Sequence, residues 1–292
     1  MRILNASGCL DALTAPEVTA QLDAFVSKTV TPLPREGNAP VRIAETDAGM
    51  LNSIGLANPG IDAFLAEKLP RLVDVGVPLW VSVGGFEASE FAELCRRLDD
   101  RDEIDVVELN VSCPNVEAAA ESAAEIVAAA RNATSKPLYA KLSPAVPDIA
   151  EVGRAAEAAG ADGLSLVNTI RGLALDERTL EPVLGPAVGG YSGPALKPIA
   201  LAAVFACYRS VRIPIVGMGG IRSGRDVVEF AAAGAADVAL GTTLFSDPYA
   251  PQRVRDELAA EVAALGYSHA DDVRGLAHGE ANRQLLVEAS QT

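Results

Sequence analysis

Asn110, Ser112, Cys113 and Asn115 crowd two amides, a hydroxyl and a thiol into one short segment of chain, Glu108-Leu109-Asn110-Val111-Ser112-Cys113-Pro114-Asn115-Val116. Such groups are costly to bury unless something polar occupies the space between them. A small planar substrate would do so, with Cys113 beside it to give or take a proton. Both histidines, His269 and His278, lie near the C-terminus. A general base in the middle of the chain must therefore be a carboxylate, lysine, tyrosine or thiol. In isolation a lone cysteine reads as an inert small hydrophobe, and Cys9, Cys95 and Cys207 are read that way. The polar flanks of Cys113 favour chemistry.

Two further features carry chemical weight. Lys141 interrupts an apolar run, Leu138-Tyr139-Ala140-Lys141-Leu142. If it points inward it must meet a negative partner, such as a flavin ring that becomes anionic on reduction; if it points outward it is an ordinary edge lysine. Periodicity leaves both open. Gly219-Gly220-Ile221 and Gly241-Thr242-Thr243 each follow a β-branched run. Bare backbone at such turns admits an anion closely, which favours a phosphate.

These groups must be held by regular elements. Candidate strands are Arg2 to Asn5, Ala24 to Val30, Leu79 to Val83, Val106 to Asn110, Leu138 to Leu142, Gly163 to Val167, Pro214 to Met218 and Asp237 to Leu240. Helical patterns fall at Ser89 to Leu98, Val116 to Arg131, Asp148 to Ala159, Pro194 to Tyr208 and Arg225 to Ala233. Gly160 and Gly234 follow helical runs and read as helix stops. Strands alternating with helices predict an α/β fold, a (β/α)8 TIM barrel of parallel strands spanning 1–292 as a single domain. A doubly wound sheet would show a Gly-x-Gly-x-x-Gly after its first strand, and none is present. Two segments depart from the pattern: an irregular or β insertion near 31–60, and a long loop near 171–192. Long ordered loops tend to be lids or site walls.

Composition narrows the function classes. The chain has 292 residues, 49% hydrophobic, with a formal net charge of −15. That balance argues against nucleic acid. No apolar run approaches a membrane span, and the N-terminus lacks a signal-peptide layout, so free thiols and a cytoplasmic location are expected. The four cysteines are widely spaced, which writes neither an iron–sulfur cluster nor a zinc site, and no metal is expected.

Taken in order, these motifs resemble the class 1 dihydroorotate dehydrogenases. The resemblance rests on Asn5-Ala6-Ser7-Gly8, Lys28-Thr29-Val30-Thr31, Gly37-Asn38, Asn52 to Gly60, Asn110 to Asn115, Lys141-Leu142-Ser143-Pro144, Val167-Asn168-Thr169, Ser192-Gly193-Pro194, Gly217 to Ile221 and Gly241-Thr242. Gly190 to Pro198 and Ile215 to Ile221 look most like class 1B, the NAD-linked form. Val116 runs into Glu117-Ala118 without the Gly-Lys-Pro-Gln stretch usual in the fumarate-using class 1A. The resemblance implies an FMN barrel that oxidises dihydroorotate to orotate in pyrimidine biosynthesis, with Cys113 as base and hydride transfer to the flavin. It implies substrate contacts from Lys28, the segment Asn52, Ser53, Ile54, Gly55 and Leu56, and Asn110, Asn115, Asn168 and Thr169. It implies FMN contacts from Ser7, Lys28, Thr29, Ser82, Asn110, Lys141, Val167, Gly193, Gly219, Gly220, Gly241 and Thr242. It also implies either a partner subunit carrying FAD and a 2Fe–2S cluster, or a homodimer. A relative acting on another dihydropyrimidine, such as dihydrouracil, is the alternative. A barrel that binds a phosphate ligand without redox chemistry would leave Lys141 and Cys113 merely structural.

Overall fold

The structure is a computed structural model that describes residues 1–111 and 119–279. Cys113 and Asn115 therefore lie outside the described residues. In chain order the strands are β1 (Ile3–Asn5), β2 (Phe25–Val26), β3 (Ile43–Thr46), β4 (Gly49–Asn52), β5 (Leu79–Val83), β6 (Val106–Asn110), β7 (Leu138–Leu142), β8 (Gly163–Leu166), β9 (Ile170–Leu173), β10 (Val188–Ser192), β11 (Ile215–Met218) and β12 (Asp237–Leu240).

Eight of these form one parallel sheet in the order β1-β12-β11-β8-β7-β6-β5-β2. Its two ends meet where Leu4 bridges Ala24 in parallel. A side chain completes that seam: Asn5 Nδ2 donates to the Val26 carbonyl at 2.8 Å, and Asn5 Oδ1 accepts from the Val26 N–H at 2.8 Å. The sheet is the TIM barrel expected from the alternating pattern, with every candidate strand contributing. The second strand is shorter than the expected Ala24 to Val30. Ser27 N–H reaches the Trp80 carbonyl at 2.9 Å and Val30 N–H reaches the Ser82 carbonyl at 2.9 Å. Three steps of one strand thus face two of its neighbour, a bulge that frees Lys28 and Thr29 from the ladder.

Parallel barrel strands are buried on both faces, so they read as nearly continuous apolar runs. Helices Ala88–Asp99, Ala119–Arg131, Ile149–Ala158, Lys197–Tyr208 and Gly224–Ala233 cover the outside, close to the expected spans. Asp148 caps the third, accepting from the N–H groups of Ala150 and Glu151. Gly160 and Gly234 take φ of +104° and +120° where chains leave their helices, as the helix-stop reading requires. Helix Ala250–Ala264 and the helical stretch from Gly60 to Val73 were not anticipated.

Inside the barrel, Leu4, Ala24, Val26, Trp80, Val106, Tyr139, Val216, Met218 and Ala239 form a packed plug. Trp80 and Tyr139 rings meet at 4.6 Å between centroids. Gly163 faces them because a Cβ there would lie 2.2 Å from the Tyr139 ring. Strand alternation then puts the next inward positions, Ser82, Glu108, Lys141 and Ser165, one layer nearer the mouth.

The two departures from the βα pattern combine. The segment near 31–60 supplies β3 and β4, and the loop near 171–192 supplies β9 and β10. Together they make one antiparallel sheet in the order β3-β4-β10-β9. Asn58 fixes the exit from this insertion, accepting from the N–H groups of Thr31 and Gly60 and donating to Thr31 Oγ1. No helix among the described residues is long and apolar enough to cross a membrane.

Candidate active site

A cavity of about 440 Å³ opens where the barrel strands end. Its wall contains Ser7, Lys28, Thr29, Asn52, Ser53, Ile54, Gly55, Leu56, Asn110, Lys141, Val167, Asn168, Thr169, Gly193, Gly219, Gly220, Gly241 and Thr242. Almost all the described residues singled out from the sequence thus face one space. Ser82 does not. It is fully buried, and its Oγ shares a hydrogen with Thr29 Oγ1 at 3.1 Å, placing it behind Thr29. Thr29 Oγ1 also lies 3.4 Å from Ser7 Oγ. The three hydroxyls therefore form a chain that leads to the cavity wall.

Asn110 and Asn168 meet directly, with Asn168 Nδ2 donating to Asn110 Oδ1 at 3.0 Å. The Asn168 carbonyl oxygen of the side chain accepts the Thr169 N–H at 2.9 Å. Asn52 reaches over from β4 and donates to the Gly190 carbonyl at 3.2 Å. A Cβ on Gly190 would lie 2.1 Å from Thr169 Oγ1, so the glycine admits that hydroxyl. Amides from the barrel and from the antiparallel sheet are thereby set around the same opening.

Lys141 is 7% exposed, which settles its direction as inward. Its Nζ lies 3.9 Å from Glu108 Oε1. Lys28 faces the same cavity. Burial holds the Lys28 ammonium below the usual lysine range, and the nearby charge of Lys141 pushes it further down. Burial raises the Cys9 thiol, while Lys141 and Lys28 pull it back. The chamber is therefore cationic, with the two lysines close enough to act on each other.

Part of the wall is glycine. Gly219 and Gly220 take φ of +122° and +77°, and a Cβ on Gly220 would meet the Gly193 carbonyl at 2.8 Å. Gly241 differs: its φ is unexceptional, and a Cβ there would meet nothing nearer than 3.9 Å. The missing side chain leaves open volume that packing does not need. Among the described residues, the N–H groups of Gly219, Gly220, Gly241 and Thr242 meet no acceptor outside the regular elements. Uncommitted N–H groups beside open backbone suit a phosphate, and the chamber beyond suits a planar ring. The donor set therefore fits a flavin nucleotide.

Several wall residues were not anticipated. Cys9, read as inert, lines this cavity and a second one of about 550 Å³ that adjoins it. Both also share Gly8, Lys28 and Phe245, and the second is walled largely by apolar residues including Leu13, Phe64 and Leu72. Ile43, Met50, Met218 and Phe245 also line the first. Ile43 and Met50 belong to β3 and β4, whose meeting with the mouth no local pattern announces. Cys9 stands two residues beyond Ser7, and that proximity was the available signal.

Comparison with known proteins agrees with this architecture. A profile of the dihydroorotate dehydrogenase family matches residues 2–262. The chain is 44% identical over 265 residues to the catalytic subunit of a dihydroorotate dehydrogenase B (NAD+) from Desulforamulus reducens, covering 88% of this chain and 87% of that one. It is 45% identical over 283 residues to a Solibacter usitatus protein provisionally named as a dihydroorotate dehydrogenase A (fumarate), covering 94% and 93%. A solved structure of a dihydroorotate dehydrogenase from Eimeria tenella superposes with a TM-score of 0.79 at 24% identity, over 95% of this chain and 85% of that one, and shares its fold. The fold and the cavity define a barrel oxidoreductase. The chain belongs to the dihydroorotate dehydrogenase family.

Proposed function

We propose that this chain, as one barrel domain in the cytoplasm, oxidises dihydroorotate to orotate with FMN as its cofactor. The observation that carries this reading is the convergence on one cavity of three amides, two lysines and a glycine-lined stretch of wall, in a chain of this family. When bound, FMN supplies the acceptor for a hydride leaving C6 of the substrate.

The protein's own groups do the rest. Gly193, Gly219, Gly220, Gly241 and Thr242 would hold the phosphate through backbone N–H groups and close approach. Ser7, Thr29 and Val167 would border the ring, with Ser82 orienting Thr29 from behind. Lys141, which lines the cavity, would stand beside the ring and stabilise negative charge there, which is how a protein tunes cofactor electronics. Asn52, Asn110, Asn168 and Thr169 would bind the pyrimidine edges, joined by Asn115 and the segment from Ser53 to Leu56. Lys28 would attract the substrate carboxylate. Cys113, three residues beyond Asn110 in the chain, would take the C5 proton on its Sγ. A thiolate is the competent base, and a cationic surrounding favours it.

For the acceptor, we infer a partner subunit carrying FAD and a 2Fe–2S cluster. The name of the Desulforamulus reducens relative, a catalytic subunit of an NAD+-linked enzyme, supports this. The test is purification from the source cell. Yellow protein that bleaches with dihydroorotate, co-purifying with an FAD and iron–sulfur protein, is the expected result. Colourless protein that cannot be reconstituted with FMN would overturn the FMN reading. A lone homodimer reoxidised by fumarate would replace the partner with the class 1A arrangement.

A further inference from the structure

Glu108 is 1% exposed and sits inside the barrel on β6, two residues before Asn110. A carboxylate there demands an explanation, because an apolar residue would pack in its place without desolvating a charge. Its Oε2 accepts the Ser165 hydroxyl at 2.9 Å. Among the described residues its Oε1 is buried without a hydrogen-bond partner, and Lys141 Nζ lies 3.9 Å from it. Glu108 is not among the described residues lining the cavity, whereas Lys141 is. The carboxylate therefore lies beneath the floor, and whatever it does at the cavity it does through the lysine.

Lys141 has a second ionic neighbour. Lys28 lines the same cavity, and the Lys141 charge disfavours the Lys28 ammonium. Cys9, from the loop after β1, also faces both lysines. Two ammonium groups facing one partly buried cavity disfavour each other unless a counter-ion is near. Glu108 is that counter-ion on the β6 side, and Ser165 from β8 fixes which way its carboxylate turns.

We propose that Glu108, anchored by Ser165, is a positioning residue that gives Lys141 its buried counter-charge and directs its ammonium at the cavity it shares with Lys28. Its consequence for cofactor electronics rests on the FMN reading above; the orientation of Lys141 does not.

The experiment uses the full chain without added FMN, labelled with [ε-13C]lysine. Five lysines, Lys28, Lys68, Lys136, Lys141 and Lys197, give a resolvable spectrum, and Lys141→Arg assigns the signal. In Glu108→Gln, which keeps the shape and removes the charge, 13C relaxation should report a rise of about twofold or more in the motional amplitude of the Lys141 ε-carbon, with the Lys197 signal unchanged as a control. Ser165→Ala should change it in the same direction by less. Unchanged Lys141 relaxation in folded Glu108→Gln overturns the proposal. Should that variant not fold, unchanged relaxation in Ser165→Ala does so. If no FMN binds on reconstitution, the FMN reading fails while the lysine relaxation still decides the role of Glu108.

Discussion

Replacing Cys113 with alanine removes the thiol from the amide-rich segment and should leave the lysines, glycines and hydroxyls of the cavity intact. FMN retention is therefore expected, together with a loss of about 10²-fold or more in the rate of reduction by dihydroorotate, the scale of a positioned proton acceptor. Stopped-flow bleaching measures it, and a parental rate would remove Cys113 from the mechanism. Lys28 makes a separate prediction through pH. Its ammonium is held below the ordinary lysine range by burial and then by Lys141, so it is lost at lower pH than a surface lysine would be. KM for dihydroorotate should rise as pH climbs through that titration, with kcat less affected. Lys28→Arg keeps its charge at all accessible pH and should flatten that alkaline limb; a limb that persists would assign it to another group. The sequence could nominate both residues from type and flanks. It could not orient Lys141, since one charge in an apolar strand is compatible with either face. It also passed over Glu108 and Cys9, whose partners are distant in the chain.

Asn5 acts at the level of elements. Its side chain stands in for a stretch of backbone ladder between β1 and β2. Asn5→Ala leaves a buried N–H and a buried carbonyl of Val26 without that partner. The expected cost is about 3 kcal/mol, from two unsatisfied groups and the lost hydrogen bonds. Urea unfolding should show it as a lower midpoint at unchanged slope, and a parental midpoint would mean that water replaces the amide. The barrel strands themselves were legible, because apolar runs bounded by glycine and polar ends recur along the chain. The bulge at Lys28 and Thr29 was not, since it arises from pairing with β5. Nor was the antiparallel sheet: β4 pairs with β10 across more than a hundred residues of intervening chain, and short strands carry little local signal of their partners.

The acid response belongs to the whole molecule. Burial pushes the Asp226 carboxyl up, but hydrogen bonds from Lys197, the Arg222 N–H and Ser223 outweigh it and hold the group below its ordinary 3.8. Glu257 is held below 4.5 against its own burial by Arg253 and the Gly224 N–H. These contacts join helix Gly224–Ala233 to Lys197 and to helix Ala250–Ala264. A carboxyl depressed on folding contributes stability above its unfolded value and loses it as pH falls through the folded one. Stability should therefore decline below about pH 4.5 as these groups protonate. Asp226→Asn should flatten that decline while lowering stability at neutral pH. Thermal melts between neutral pH and pH 3 compare the two chains, and parallel profiles would place the acid sensitivity elsewhere.

The sequence by itself determined the alternation of strands and helices, the parallel barrel it implies, the glycine turns after β11 and β12, and the roster of amides and lysines at strand ends. Those follow from local rules: side-chain periodicity, glycine at helix exits and the cost of a polar residue in an apolar run. Tertiary structure decided the rest. It closed the seam through Asn5, merged two distant loops into one sheet whose β3 and β4 supply Ile43 and Met50 to the cavity wall, moved Ser82 behind Thr29, and set Glu108 beneath Lys141. The physical reason is common to all four. Each depends on which surfaces meet after the chain has folded back on itself, and charge, hydrogen bonding and close approach act only between groups that have been brought together.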